Sequence, residues 1–307
     1  MENHSPARYY PISNRMFLVV DSGSTKADWV LTSLTEGTLL EFRTSGINPF
    51  FLSDKDIIKI LQNTSEVQPF LKEVKEIYFF GAGCSSPDRR EVVSNALSQI
   101  FKNAFVNVED DLAAAVYATC GNAKGLSCIL GTGSNITYFD GHEIKQGKHG
   151  LGYILGDEGS GTYFGKKLLT AFLYDTLPVH LHKAFKQQFD LDKASVIRQV
   201  YENAAPNFYL ASFSNFMSGY KTDPFIVGLL KEGFNEFIQS NIKSYPDYRQ
   251  LACHFIGSIA FHFQDVLREA CKENQIQTGK ILKHPIEELN RFILEREMSN
   301  FVNVKKD

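Results

Sequence analysis

Apolar and polar positions along this chain switch between two periods, and the switches mark out strands and helices. Met16–Val20 is an unbroken apolar run. Asp28–Thr32 follows after a short link of Gly, Ser, Thr and Lys, and Leu39–Thr44 comes next, so the chain opens on three strands in hairpin succession. Strands at Glu76–Phe80 and Phe105–Val108 then alternate with helical stretches at Ser53–Gln62 and Pro87–Phe101. An antiparallel start followed by strand and helix units predicts a mixed α/β sheet. A second cycle opens near Leu112, with a helix over Leu112–Thr119, a hairpin over Leu126–Phe139 and a short strand around Ile144. From Gly156 to Gln275 helical periodicity dominates, in stretches at Phe164–Tyr174, Ala194–Glu202, Phe225–Ile242 and Tyr248–Cys271, with turns at Tyr220–Pro224 and Ser244–Pro246. Pro285–Ser299 reads as a last amphipathic helix that ends in a polar, disordered run. The expected division is a flexible arm over 1–14, an N-terminal domain over 15–118, a C-terminal domain over 119–284, and a terminal helix and tail over 285–307, with the N-terminal domain as the helix's candidate packing surface.

Composition narrows the function. With 43% hydrophobic residues in 307, two cores are within reach, and a net charge of −3 provides no electrostatic footprint for nucleic acid or an anionic membrane. A small soluble substrate is the expectation. Cys84, Cys120, Cys128, Cys253 and Cys271 are scattered without a C-x-x-C pair, which suits reduced thiols and a cytoplasmic protein. No apolar stretch approaches the roughly 18 residues of a membrane span.

Candidate chemistry begins with a motif written twice. Asp21-Ser22-Gly23-Ser24-Thr25-Lys26 and Gly131-Thr132-Gly133-Ser134-Asn135 each join two strand-like runs through small and hydroxylated residues, so backbone N–H groups crowd into one concavity suited to phosphate. An acidic residue opens only the first copy, which suggests a nucleotide held by two related halves with its metal on one side. Asp21 is either a turn residue that bonds its own backbone or a ligand of Mg²⁺ at the mouth of the phosphate cup. Lys26 faces phosphate or solvent.

Glu109-Asp110-Asp111 ends a strand and starts a helix. One aspartate there caps the helix in the ordinary way, while phosphoryl transfer to a hydroxyl needs a carboxylate within reach of the acceptor oxygen. Asp111 is the candidate base and Asp110 the alternative. The run Gly150-Leu-Gly152…Gly156-Asp157-Glu158-Gly159-Ser160-Gly161 leads into a helix and offers two acids to the hydroxyls of a polar ligand, and Asn48 of Asn48-Pro49 offers an amide. No Gly-x-x-x-x-Gly-Lys-[Ser/Thr] sequence occurs, and neither Gly81-Ala-Gly83 nor Gly131-Thr-Gly133 completes the dinucleotide fingerprint. His180 and His182 read as one strand face without carboxylate company, and His254 and His262 as helix residues, so the histidines suggest no metal site.

These motifs resemble the sugar kinase, heat-shock chaperone and actin superfamily, and within it the N-acetylglucosamine kinase branch grouped with BadF/BadG/BcrA/BcrD-type ATPases. Gly131–Asn135, Gly150-Leu-Gly152 and Gly156–Ser160 carry the closer match, and Phe255-Ile-Gly257-Ser258-Ile259-Ala260 is similar to the branch's adenosine motif. The resemblance implies an α/β fold of two ribonuclease H-like domains, with a helical layer in the second, closing on ATP. It further implies Asp111 as general base and Asn48, Asn135, Asp157 and Glu158 as sugar ligands. Phosphates would lie on Gly23, Ser24, Thr25, Lys26, Gly131, Thr132 and Gly133, the nucleoside against Gly257 and Ser258, and Mg²⁺ on Asp21. The expected reaction is transfer from Mg-ATP to a hydroxyl, at C6, of an amino sugar such as N-acetylglucosamine or glucosamine. Leu151 stands where the branch often has Trp, so the sugar itself stays open, and a homodimer is an open state of assembly. The alternatives are an ATPase activator of an acyl-CoA dehydratase or reductase, which would hold an iron–sulfur cluster on cysteines, and an ATPase without a sugar substrate.

Overall fold

The computed structural model describes residues 15–304 except 24 and 146–149, with side chains as far as 300; the arm expected over 1–14 and the last residues, 305–307, lie outside the described residues. Two compact units emerge: Met1–Ala118 with Pro285–Asp307, and Thr119–His284.

The first unit holds a five-stranded sheet of β1 (Met16–Ser22), β2 (Lys26–Ser33), β3 (Gly37–Ser45), β4 (Val74–Gly81) and β5 (Phe105–Asp110), in the order β3-β2-β1-β4-β5. β1 pairs antiparallel with β2 and parallel with β4, so the expected mixed sheet forms. Phe17, Leu18, Val19 and Val20 are all buried because β1 is central and covered on both faces. Leu18 and Val20 share a core with Ile57 and Leu61 of α1 (Asp54–Gln62) and Val93 and Leu97 of α2 (Pro87–Ile100). By strand alternation Phe17 and Val19 face the other way, and that face is covered by the C-terminal helix, Ile286–Val304. Thr32, directly opposite Phe17, donates a 2.8 Å hydrogen bond to Asn290, and Tyr78, opposite Val19, donates one of 2.7 Å to Glu297. Asn290 and Glu297 are seven residues apart, hence on one side of the helix, and both are buried. This helix runs to Val304, past the Ser299 limit that its polar end suggested, so residues 300–304 are helical.

The second unit repeats the plan. Its strands are β6 (Gly125–Leu130), β7 (Ser134–Phe139), β8 (Ile144–Lys145), β9 (Ala252–Ile256) and β10 (Gln277–Leu282), ordered β10-β9-β6-β7-β8. β6 is antiparallel to β7 and parallel to β9, as β1 is to β2 and β4. In the first unit, α3 (Asp111–Thr119) follows β5 directly. Between β8 and β9 the chain inserts α4 (Gly152–Leu155), α5 (Gly161–Leu173), α6 (Val179–Gln188), α7 (Lys193–Tyr201), α8 (Pro206–Ser212) and α9 (Pro224–Ser240); α10 (Ser258–His262) and α11 (Gln264–Glu273) follow β9, and α12 is the terminal helix at Ile286–Val304. This is the helical layer expected in the second half.

Four sequence expectations change. Tyr248–Cys271 is not one helix: Ala252–Ile256 is a buried strand, too short for its periodicity to separate it from the helices after it. β10 follows where no strand was expected, because its side chains are all exposed or half-buried and its alternation is faint. His180 and His182 lie on α6 instead of a strand, where they meet Asp223 at 2.6 Å and Asp175 at 3.1 Å. His254 is on β9, and its Nδ1 accepts the Lys280 N–H at 3.0 Å. Among the described residues no helix is long and apolar enough to cross a membrane.

Candidate functional site

In the first unit, parallel pairing brings three chain ends level. Asp21 of β1 pairs with Phe80 of β4, Ser22 with Gly81, and Gly81 with Asp110 of β5. β3, antiparallel to β2, finishes at the same edge with Ser45 beside Lys26. Asp21, Lys26, Asn48 and Asp111 therefore gather at the carboxyl edge of one sheet, the usual place for ligands in α/β sheets. The turn is tight: the Gly23 N–H donates to the Lys26 carbonyl at 2.9 Å. Thr25 is exposed in it, and Ser24 lies outside the described residues. Ser22 fixes the turn to the next loop, accepting the Ile47 N–H at 2.8 Å.

The charges at this edge are mostly negative. Lys26 Nζ lies 3.4 Å from Asp28, which Arg43 also contacts. Burial, then the charges of Asp28 and Asp111, push the Asp21 carboxyl up to about 7. Asp110 and Asp111 divide their duties. The Asp110 carboxylate accepts the Ala113 N–H at 3.0 Å and lies 3.7 Å from Arg90, which makes it the cap of α3. Asp111 is exposed by area, yet protein atoms around its carboxyl and the Asp110 charge raise it above the ordinary carboxylate range, while its own and Leu112's N–H groups pull it back. Asn48 is buried, and its Oδ1 accepts the Phe50 N–H at 2.9 Å. Gly83, at φ +85°, presses so closely that a Cβ there would stand 2.2 Å from that oxygen.

In the second unit, Gly131–Ser134 forms the equivalent turn, closed by the Gly131 N–H on the Gly133 carbonyl at 3.0 Å. The first turn of α5 docks beneath it: Gly161 N–H bonds the Gly131 carbonyl at 2.8 Å, Thr162 N–H the Thr132 carbonyl at 3.0 Å, and Thr162 Oγ1 the same oxygen at 2.7 Å. Ser160 caps that helix through the Tyr163 N–H. Asp157, at φ +63°, accepts the Ser134 N–H at 3.1 Å, and burial raises its carboxyl. With Ser134, Gly150, Leu151, Gly156, Glu158 and Asn241 it walls a cavity of about 80 Å³. Asn135 lies against this corner, since a Cβ on Gly150 would come within 3.0 Å of its amide.

A second cavity, of about 200 Å³, is walled by Gly131, Thr132, Gly161, Phe208, Ser212, Asn215 and Ser258 among others. Ser258 thus stands beside the turn, as its motif implied. Gly257, at φ +125°, has a nearer reason to be glycine than ligand approach, because a Cβ would sit 2.3 Å from the Leu130 carbonyl. Phe208, Ser212 and Asn215 escaped the sequence reading: they lie on α8 and the turn after it, some 80 residues beyond the phosphate motif, and no local pattern distinguishes them. All five cysteines are buried and free, and no group of three or more His, Cys, Asp or Glu among the described residues is arranged to hold a metal by itself.

No family model matches the chain. A solved structure from Porphyromonas gingivalis that carries the provisional name N-acetylglucosamine kinase is 37% identical, with 92% of this chain and 99% of that one covered at a TM-score of 0.84. The N-acetylmuramic acid/N-acetylglucosamine kinase of Clostridium acetobutylicum is 25% identical over 160 residues, which span 50% of this chain and about half (52%) of that enzyme's length. At 14% identity, a ROK family glucokinase from Streptomyces griseus, solved with glucose and AMPPNP, covers 90% of this chain and 98% of its own with a TM-score of 0.55, and so shares the fold. That fold is the actin-like ATPase fold.

Proposed function

Because the chain belongs to the N-acetylglucosamine kinase-like family, we propose that it transfers the γ-phosphoryl group of ATP to a hydroxyl of an amino sugar. The observation that carries this reading is the division of labour between Asp110 and Asp111. Asp110 is committed to capping α3, whereas Asp111 presents a solvent-reachable carboxylate, raised toward neutrality, at the sheet edge that also holds Asp21. A carboxylate so raised is a better proton acceptor for a sugar hydroxyl than an ordinary one. A hydrolase acting on ATP alone has no need of a second carboxylate for an acceptor.

In this reading the Gly23–Lys26 and Gly131–Gly133 turns hold the phosphates through backbone N–H groups, with Lys26 on their charge. Ser258 and its cavity take the nucleoside. Asn48, Asn135, Asp157 and Glu158 bind the sugar hydroxyls, and Asp111 accepts the proton of the C6 hydroxyl, the exocyclic primary alcohol and the least hindered of the sugar. The residues fit Mg²⁺: Asp21 is destabilised as an anion by Asp28 and Asp111, so a cation there relieves a repulsion already built in. Such an ion needs only one or two carboxylates beside phosphate and water, and when bound it offsets charge on the transferring group. Five buried free thiols support placing this reaction in the reducing cytoplasm.

The test is ADP release with Mg-ATP and a panel of glucosamine, N-acetylglucosamine, N-acetylmuramic acid, glucose and no sugar, for wild type and Asp111→Asn. Sugar-stimulated release, lowered at least about a hundredfold in the variant, is expected. Turnover that ignores the sugar, or an unchanged rate in the variant, refutes the kinase reading.

A further inference from the structure

In the first unit the residues assigned to the acceptor are joined by a loop that carries none of their chemistry. Gly81-Ala82-Gly83-Cys84 leaves the end of β4 and touches each neighbour in turn. The Ala82 N–H donates to the Ser22 carbonyl at 2.8 Å, which ties the loop to the end of β1 beside Asp21, and Gly83 packs against the Asn48 amide oxygen. The loop turns back through the Cys84 N–H, which donates to the Gly81 carbonyl at 3.2 Å. Cys84 is buried, and its thiol is pushed up to about 12 by that burial and next by the charge of Asp111, so the far end of the loop lies beside the strand-end acids.

Arg90 of α2 closes this arrangement. Its Nε donates to the Cys84 carbonyl at 2.7 Å, and a second nitrogen of the same guanidinium lies 3.7 Å from the Asp110 carboxylate. A planar fork holds two acceptors at a set separation, which an ammonium on a flexible stem does not. The placement has a local cost. Ser86 occupies the cap position of α2 and Pro87 opens it, so Arg90 stands in the first turn, where the macrodipole favours an acid over a cation. A residue set against the preference of its own helix is explained by what it touches. Arg89 shares that turn and also reaches toward the acceptor residues, lying 3.4 Å from the centre of the Phe50 ring, two positions after Asn48.

We infer that Arg90 is a positioning residue of the phosphoryl transfer: its guanidinium locks the Gly81–Cys84 loop to the Asp110 cap and so sets Asn48 and Asp111 in register for one acceptor. The inference rests on the kinase reading above. Its two arms contribute unequally. The short bond to a carbonyl holds the loop, and through Gly83 the Asn48 amide, whereas the longer and partly exposed contact with Asp110 steadies the start of α3 more weakly. Loss of Arg90 is therefore felt most in KM for the sugar, less in kcat, and least in KM for ATP, because the Gly23–Lys26 turn is closed by its own backbone bond.

The experiment measures kcat and both KM values, with the sugar most active in the panel above, for wild type, Arg90→Met, Arg90→Lys, Asp110→Asn and the Arg90→Met/Asp110→Asn double variant. Methionine keeps the apolar stem and removes the fork. Arg90→Met should raise KM for the sugar about tenfold and lower kcat about threefold, with KM for ATP within about twofold of wild type. Arg90→Lys should recover kcat and leave KM for the sugar raised. The kcat loss of the double variant should match the larger single loss instead of the product of the two, since both substitutions break one contact. Independent losses, or equal rises in both KM values, overturn the positioning role. Iodoacetamide labelling followed by peptide mass spectrometry reads the loop without turnover: in Arg90→Met, Cys84 should label at least about fivefold faster while Cys120, Cys128, Cys253 and Cys271 keep their wild-type rates. Unchanged labelling of Cys84, or faster labelling of all five thiols, overturns the inference. If wild type phosphorylates a sugar and Arg90→Met matches it, the inference fails alone; if wild type phosphorylates none, the kinase reading fails and takes the inference with it.

Discussion

Gly257→Ala probes how the second unit's phosphate turn is held. The residue has φ +125°, where an L side chain is strained, and its new Cβ would stand 2.3 Å from the Leu130 carbonyl oxygen and 2.9 Å from the Gly131 nitrogen. Ordinary contacts begin near 3.4 Å, so backbone must move by about 1 Å, and the backbone in question is the start of the turn. Strained φ costs about 1–3 kcal/mol and overpacking a similar amount, for a sum of roughly 2–6 kcal/mol. At about 2–4 °C per kcal/mol for a domain of this size, Tm should fall by roughly 4–24 °C. The displaced Gly131 should also raise KM for ATP by roughly ten- to a hundredfold, since misplacement on this scale is costly. Gly228→Ala is the control: it sits within α9 with nothing within 4 Å of the added Cβ, and should stabilise by about 0.5–1 kcal/mol. Thermal melts and ADP release with varied ATP read both effects. A Gly257→Ala protein that melts with wild type and keeps its KM for ATP would refute the packing argument.

The Asp21 carboxyl, at about 7 folded against 3.8 as a free group, makes the folded state hold more protons between those values. Stability contributed by its protonated form is complete below about 3.8 and is lost as pH rises through 7, so ligand-free wild type should melt progressively lower from pH 4 to 8. Asp21→Asn should flatten that slope and melt higher than wild type at pH 8; an identical slope rejects the assignment. Glu297→Ala removes one of the two carboxylate acceptors of the buried Tyr78 hydroxyl, Glu76 being the other, and a 3.2 Å partner of Arg15, and should destabilise by about 0.5–1.5 kcal/mol in urea melts, with Glu297→Gln retaining part. Equal losses in both variants would show that packing, not hydrogen bonding, anchors α12. Gly165→Ala, whose Cβ would sit 1.8 Å from the Leu210 carbonyl, should separate α5 from α8 and yield mostly insoluble protein. Wild-type solubility and Tm would contradict this.

Local pattern was enough for the two phosphate turns, the strand-end aspartates and the first three strands of each sheet, because hairpins and strand-to-helix junctions are built from residues adjacent in the chain. It was not enough for β9, whose partner β6 lies over a hundred residues earlier, nor for β10, which pairs with β9: a five-residue buried strand has too few positions to show its period, and only the pairing Leu126–Cys253 identifies β9. The same limit applied to the residues of interest. Sequence put Asp111 ahead of Asp110 as the candidate base, and the Ala113 hydrogen bond supplies the physical reason that Asp110 is the helix cap. The resemblance set Gly257 against the nucleoside, whereas the oxygen that a side chain there would strike belongs to Leu130. What the chain writes locally is therefore its tight turns and strand-end carboxylates, and what folding decides is the surroundings of each charge, since burial and neighbouring charge are properties of space and not of order along the chain.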